Sequence, residues 1–346
     1  MNPVHLAVAG AGLIGRRHIE HIQASPGCTL AAIIDPTPAA QALASSLGCR
    51  WFANLEALPQ GLVDGVILAT PNALHVSGAL ACIERGLPAL IEKPVAHSVE
   101  EGQRLLAAAE RAGARLLVGH HRAHSAIMRQ ACAVIASGAL GRLVTVMGSA
   151  QFYKPADYFA AGPWRTQPGG GPILLNMIHE VGNLRALCGE IASVQAQASN
   201  AVRGFAVEDS VAMTFTFENG TLGSFVLSDT AATARSWEQT SGENPDYARD
   251  RDEDCYLVAG THGSLAVPSL RLKTYPGAEQ RSWFTPFSRE QVALEEVDPL
   301  REQLAHFCAV IRGEAEPLVS VRDGLRNLLI TEAIAEAARS GQVVRV

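Results

Sequence analysis

No apolar stretch of the 346-residue chain approaches the ~20 residues that a membrane-spanning helix needs. Nor does a basic segment with a cleavage site precede the first strand pattern. A membrane location is not expected, and a cytoplasmic one is. The chain also lacks any run of Lys and Arg long enough to track a phosphate backbone, and its net charge is −6, so nucleic acid is not an expected partner. Seven cysteines, at 28, 49, 82, 132, 188, 255 and 308, form no C-x-x-C pair. That spacing argues against zinc or a redox dithiol and reads as small buried hydrophobes. Low-complexity tracts and internal repeats are absent too. With 48% hydrophobic and 18% charged residues the chain reads as fully folded, and its length exceeds what one core fills, which predicts two domains.

What is present is an alternation. Val4 to Ala9 reads as a buried strand, Leu13 to Ala24 as a helix with Leu13, Ile14, Ile19 and Ile22 facing inward, and Leu30 to Ile34 as a second strand. Val66 to Ala69, Ala89 to Ile91 and Leu116 to Val118 repeat the pattern, and Ser98 with Glu101 forms a capping box. Strand–helix alternation predicts a doubly wound parallel sheet, a Rossmann domain, over residues 1–121. Over 122–346 the pattern changes to an α+β domain. A helix at Ala126 to Ser137 and another around Asn176 to Leu187 accompany the strand patterns Leu143 to Phe152, Val194 to Ala198, Val211 to Phe217, Thr221 to Leu227 and Tyr256 to Ala259. These predict a large, mostly antiparallel open sheet. Leu300 to Ile311 and Val321 to Ala338 read as closing helices. The polar, aperiodic segment Ala231 to Asp254 reads as a long functional loop.

Gly10-Ala11-Gly12-Leu13-Ile14-Gly15 follows the first strand and opens a helix, the context in which G-x-G-x-x-G binds a dinucleotide. The first glycine makes the turn, the second admits the pyrophosphate, and the third lets helix pack on strand. Asp35 ends the second strand, where a carboxylate accepts hydrogen bonds from the adenosine ribose and repels a 2′-phosphate. That favours NAD, while Arg16 and Arg17 keep NADP open.

Thr70-Pro71-Asn72 with His75 follows the third strand pattern, and Glu92-Lys93-Pro94 follows the fourth. Together with the glycine loop, Trp164-Arg165, Gly169-Gly170-Gly171 and His179, these motifs resemble the Gfo/Idh/MocA family, named for glucose-fructose oxidoreductase and inositol dehydrogenase. The resemblance covers nearly the whole chain. It implies that Gly10, Gly12, Leu13, Ile14, Gly15, Asp35, Thr70, Pro71, Asn72, His75, Glu92 and Lys93 bind the cofactor. It further implies that Lys93 lies beside the nicotinamide and that His179 exchanges a proton with the reacting hydroxyl. Elementary chemistry agrees, since a Lys at the carboxyl edge of a parallel strand lies where such sheets bind ligands, and a His titrates near neutrality.

The chain departs from the family pattern at two places. Leu175 and Gly182 stand where relatives commonly carry Asp, so no carboxylate there orients His179. Asn176, at i−3, is expected on the same helical face as His179, whereas Glu180 points about 100° away. The Asn-x-x-His variant and Gly119-His120-His121-Arg122 resemble a subgroup that includes dehydrogenases of cyclic cis-diol carboxylates. His120, Arg122, Tyr153, Trp164, Arg165 and Asn176 are therefore expected at the substrate, with Arg122 or Arg165 gripping a carboxylate. His120, His121 and His124 offer too few ligands for a metal site, and none is expected. The expected activity is NAD(P)-dependent hydride transfer to or from a secondary alcohol of a cyclic polyol, sugar or cyclic cis-diol carboxylate. An NAD-dependent glycosidase of the same fold and a non-catalytic NAD-sensing regulator are the alternatives. A homo-oligomer, dimer or tetramer, is expected because the open sheet would otherwise expose a broad face.

Overall fold

The computed structural model describes residues 2–294 and 296–346, which fall into two compact units: Met1–His124 with Pro299–Leu328, and Ser125–Asp298 with Leu329–Val346. The first contains β1 (Val4–Ala9), α1 (Leu13–Ala24), β2 (Cys28–Ile34), α2 (Pro38–Leu47), β3 (Arg50–Phe52), β4 (Gly65–Leu68), α3 (His75–Glu84), β5 (Ala89–Glu92), α4 (Val99–Ala112) and β6 (Leu116–Gly119). The six strands pair in parallel in the order β3-β2-β1-β4-β5-β6. Every residue of β4, β5 and β6 is buried, as a parallel sheet covered on both faces requires. The order reverses between β1 and β4, and such switch points open the ligand crevice of doubly wound sheets. Ser98 caps α4 as its sequence predicts, accepting from the Glu101 amide at 3.3 Å.

Three features of this unit differ from the sequence reading. β3 is a three-residue edge strand, too short to leave a periodic signal. Leu13 does not face inward: it is 90% exposed at the first position of α1. The third difference is the helix Pro299–Arg312, which the division at 121/122 assigned to the second domain and which belongs to the first unit. Its Leu304, Phe307 and Cys308 join the cluster of Ile19, Ile22 and Ile33. Arg115 caps its last carbonyls, those of Val310 and Ile311, at 3.2 and 3.0 Å. Amphipathic periodicity announces an apolar face but not which sheet that face covers.

The second unit contains α5 (Ala126–Ala136), β7 (Leu143–Gln151), α6 (Ala156–Ala160), α7 (Ile178–Cys188), β8 (Ile191–Ser199), β9 (Ser210–Phe217), β10 (Leu222–Ser228), α8 (Trp237–Ser241), β11 (Tyr256–Gly260), β12 (Gly263–Val267), β13 (Arg271–Thr274), β14 (Ser288–Gln291) and β15 (Val344–Arg345). They form a nine-stranded sheet, β14-β13-β12-β11-β7-β10-β9-β8-β15, antiparallel except where β7 and β10 run parallel. Strict alternation along β9 and β10 sends Val211, Met213, Phe215, Phe217, Phe225 and Leu227 into a core shared with Val181, Leu184 and Leu187 of α7. The opposite face leaves Met147, Leu222, Val226 and Leu257 exposed. The segment 231–254 is more than a loop. It contains α8, and the Trp237 ring is buried 6.2 Å from that of Tyr256 with its indole N–H on Glu243 at 2.9 Å.

Candidate functional site

The glycine loop leaves the end of β1 and enters α1, and each glycine answers a separate steric demand. Gly10 has φ +90°, and a Cβ there would lie 2.5 Å from the Ala69 carbonyl oxygen; one on Gly15 would lie 2.0 Å from the Gly10 carbonyl oxygen. A Cβ on Gly12, by contrast, meets no atom within 4 Å. The open side of the loop therefore lies over the amino end of α1, where unpaired amides and the helix dipole favour a phosphate. Asp35 follows β2, with one carboxylate oxygen on the Ala11 amide (2.9 Å) and the other on the Thr37 amide (2.9 Å) and hydroxyl (2.6 Å). Burial pushes its carboxyl up, but these three donors outweigh it and hold it below the usual range. The carboxylate is thus ionised at neutral pH and retains lone pairs for further donors. Of the two arginines that left NADP open, Arg17 pairs with Glu20 and Arg16 donates to the Ala11 carbonyl. The residues present fit NAD.

Thr70, Pro71 and Asn72 follow β4, and Lys93 follows β5, at the carboxyl ends of strands on the crevice side. Two of the residues assigned to the cofactor make hydrogen bonds to the protein itself. His75 is buried, with Nδ1 2.7 Å from the Pro94 carbonyl oxygen and Nε2 2.9 Å from that of Thr70. Both ring nitrogens face protein carbonyls, so His75 ties the Thr70 loop to the Lys93-Pro94 peptide. Glu92 is likewise buried, with one carboxylate oxygen 2.8 Å from Nε2 of His18 and the other accepting the Lys93 amide at 3.1 Å. Burial raises its carboxyl, and the His18 contact reverses that, leaving it below the usual range. His75 and Glu92 orient the backbone on which Lys93 is carried.

After β6 the chain turns through His121–His124. His120 is buried 3.3 Å from the Asn327 side-chain nitrogen, and Arg122 is buried as well. His121, weighed in the sequence only as a metal ligand and as part of the Gly119-His120-His121-Arg122 segment, is coupled by charge to Glu92 and Lys93. Burial, with Arg122 beside it, lowers its imidazole to about 3, so the ring is neutral at physiological pH.

In the second unit the triple-glycine loop leads into one π-helical turn, Ile173–Met177, and then α7. A Cβ on Gly170 would lie 2.6 Å from the Arg165 carbonyl oxygen, and one on Gly171 2.7 Å from the Glu208 carboxylate. Glu208 accepts the Ile173 amide at 2.8 Å, and its burial raises its carboxyl. His179 is half-buried in the first turn of α7. Asn176 lies on the π turn, which is wider than an α turn, and its side-chain oxygen accepts from Lys154 at 2.7 Å. Glu180 is buried and bonded to the Tyr256 hydroxyl, which also receives the Asn183 amide at 3.1 Å. Tyr153 and Trp164 are exposed, and the Arg165 guanidinium lies 4.1 Å from the centre of the Tyr158 ring.

The sequence reading missed Lys154, Arg203, Glu208 and Asp229. Lys154 stands 3.7 Å from Asp229, which also receives Nε of Arg203 at 2.8 Å. Asp229 and Arg203 lie on segments far from Asn176 in sequence, and no local motif announces them.

Comparison with known proteins agrees with this geometry. Residues 4–120 match the model of the oxidoreductase family with an NAD-binding Rossmann fold, and residues 128–266 match the Gfo/Idh/MocA C-terminal domain. The chain is 27% identical over 285 residues to 1,5-anhydro-D-fructose reductase of Ensifer adhaerens, covering 80% of this chain and 77% of that one. Over 150 residues it is 29% identical to 1-carboxy-3-chloro-3,4-dihydroxycyclohexa-1,5-diene dehydrogenase of Comamonas testosteroni, 42% of this chain and 37% of that one. The WlbA dehydrogenase from Bordetella pertussis, solved with NADH and UDP-GlcNAcA, superposes with a TM-score of 0.78 at 26% identity over 100% of this chain and 99% of that one. With both domains matched in order and the glycine loop, Lys93 and His179 on the elements described, this chain belongs to the Gfo/Idh/MocA family of NAD-binding oxidoreductases.

Proposed function

We propose that the protein transfers hydride between nicotinamide and a secondary alcohol of a sugar, cyclic polyol or cyclic cis-diol carboxylate. The observation that carries this reading is Lys93 at the carboxyl end of β5, its backbone anchored from behind by Glu92 and by His75 through Pro94. Bound NAD supplies the hydride acceptor. The chain's own task is the hydroxyl proton. Lys93 holds the alcohol oxygen and favours its deprotonation, and His179 receives or returns that proton. Asn176 and Arg165 contribute hydrogen bonds that orient the substrate. The names of the relatives support a carbohydrate or cyclic-diol substrate, one of them specifying both a carboxyl group and a vicinal diol.

NADH formation against a panel of sugars, inositols and cyclic diol carboxylates tests this reading, with NADP run in parallel. Turnover of at least one member with NAD is the expected result, with a slower rate or none with NADP because Asp35 meets the 2′-phosphate. Sugar hydrolysis without net NADH would move the assignment to a glycosidase, and NAD binding without turnover to a regulator.

The exposed Met147, Leu222, Val226 and Leu257 on one sheet face, with Trp283 and Phe284 nearly fully exposed before β14, favour a homo-oligomer. Sedimentation at micromolar concentration is expected to give a dimer or tetramer. A single 36.6-kDa species would overturn that expectation.

A further inference from the structure

Lysine is scarce in this chain: only Lys93, Lys154 and Lys273 occur, within a Lys plus Arg total of 28. Arginine takes nearly every cationic position, so a lysine in a largely buried setting invites a chemical reason. Lys273 lies on β13, and Lys93 is accounted for above. Lys154 is the remaining one. Its ammonium lies 4.9 Å from the centre of the Tyr158 ring and 5.4 Å from that of Phe152, and its side chain is 11% exposed.

An ammonium group can only donate hydrogen bonds. The contact at 2.7 Å therefore fixes the Asn176 amide with its oxygen toward Lys154, and the amide NH2 necessarily points the other way. Among the described residues no acceptor meets that NH2, and Asn176 is half-buried on the π turn that leads to His179. Without Lys154 the amide could flip and offer oxygen or nitrogen equally.

We propose that Lys154 is a positioning residue that locks the Asn176 amide with its NH2 group outward, so that the ligand group recognised there is a hydrogen-bond acceptor such as a carboxylate or carbonyl oxygen. The acceptor half of this statement rests on the proposed dehydrogenase function; the lock itself does not. Lysine suits the position better than arginine because it is compact enough to sit between two rings and Asp229. The charged groups that face it are Asp229, Glu238, Arg203 and Glu208. Burial dominates among these influences and lowers its ammonium to about 8, against the opposing pull of Asp229 and Glu238. The lock is fully charged below that pH and weakens as pH rises through it.

Two measurements test the lock. The first is kinetic, on the holoenzyme with the best substrate of the panel. Lys154→Met is expected to raise KM roughly tenfold, the worth of one charge-assisted hydrogen bond, with NADH affinity unchanged. Wild-type KM is expected to climb above pH 8, and Lys154→Arg to restore much of the affinity while removing that alkaline rise. Wild-type KM and pH profile in Lys154→Met would overturn the proposal. The second measurement needs no turnover. Selective 13C labelling of three lysines gives three ε-carbon signals, with that of Lys154 identified by its loss in Lys154→Arg. Asn176→Ala is expected to move the Lys154 signal and leave that of Lys273 in place. An unmoved signal overturns the lock, even if the panel fails and the dehydrogenase reading falls with it; a moved signal in that case sustains the lock alone.

Discussion

Replacing Lys93 by Met is expected to lower kcat by roughly 10²–10⁴, the usual contribution of a positioned acid–base group, while NADH binds as before. The separation follows from how the residue is held. Its backbone amide is bonded to Glu92, and the following Pro94 carbonyl to His75. These contacts involve the main chain, so removing the ammonium leaves the loop and the glycine turn intact. Methionine keeps most of the aliphatic stem and removes the charge. Stopped-flow turnover alongside fluorescence titration with NADH reads both effects. Undiminished turnover in Lys93→Met would remove this lysine from the chemistry, and loss of NADH binding would show that it serves the cofactor instead.

The second large effect is expected at the glycine loop, where two adjacent-looking substitutions should fail for different reasons. A methyl group at Gly15 lies 2.0 Å from the Gly10 carbonyl oxygen, a backbone atom that cannot rotate away. Gly15→Ala should therefore cost at least about 3 kcal/mol, the upper end of overpacking penalties, and lower the melting temperature of the first unit. At Gly12 the same methyl meets nothing within 4 Å, so Gly12→Ala should melt like the wild type. It occupies the space through which a pyrophosphate approaches the amino end of α1, and the affinity for NAD should fall about 100-fold as the amide contacts are lost. Calorimetry and NAD titration on the two variants separate these outcomes. Equal NAD affinity in Gly12→Ala would place the pyrophosphate elsewhere.

The sequence reading and the structure agree most closely where function depends on neighbours along the chain. Gly10, Gly12 and Gly15 sit between β1 and α1, Asp35 follows β2, and Lys93 follows β5. Each was legible because a strand end, a turn and a helix start are set by residues within a few positions. The alternation of β9 and β10 was legible for the same reason: period-2 patterning depends on which face meets the core. His75 and Glu92 were recognised as part of their motifs, but their protein partners were not. Whether a motif side chain faces a ligand or braces the backbone depends on Pro94, 19 residues from His75, and on His18, 74 residues from Glu92.

By itself, then, the sequence determined the doubly wound sheet and the glycine loop of an NAD-binding domain, and through its resemblance to the family it pointed to Lys93 and His179. The tertiary structure alone decided that the helix Pro299–Arg312 covers the first sheet, that Glu180 is turned to Tyr256, and that Asn176 accepts a hydrogen bond from Lys154. The physical reason is common to all three. Hydrophobic period and turn chemistry are local quantities, whereas the sheet that an apolar face covers and the donor or acceptor that comes within about 3 Å of a buried polar group are set by what the fold brings together, and neither leaves a trace in the spacing of residues.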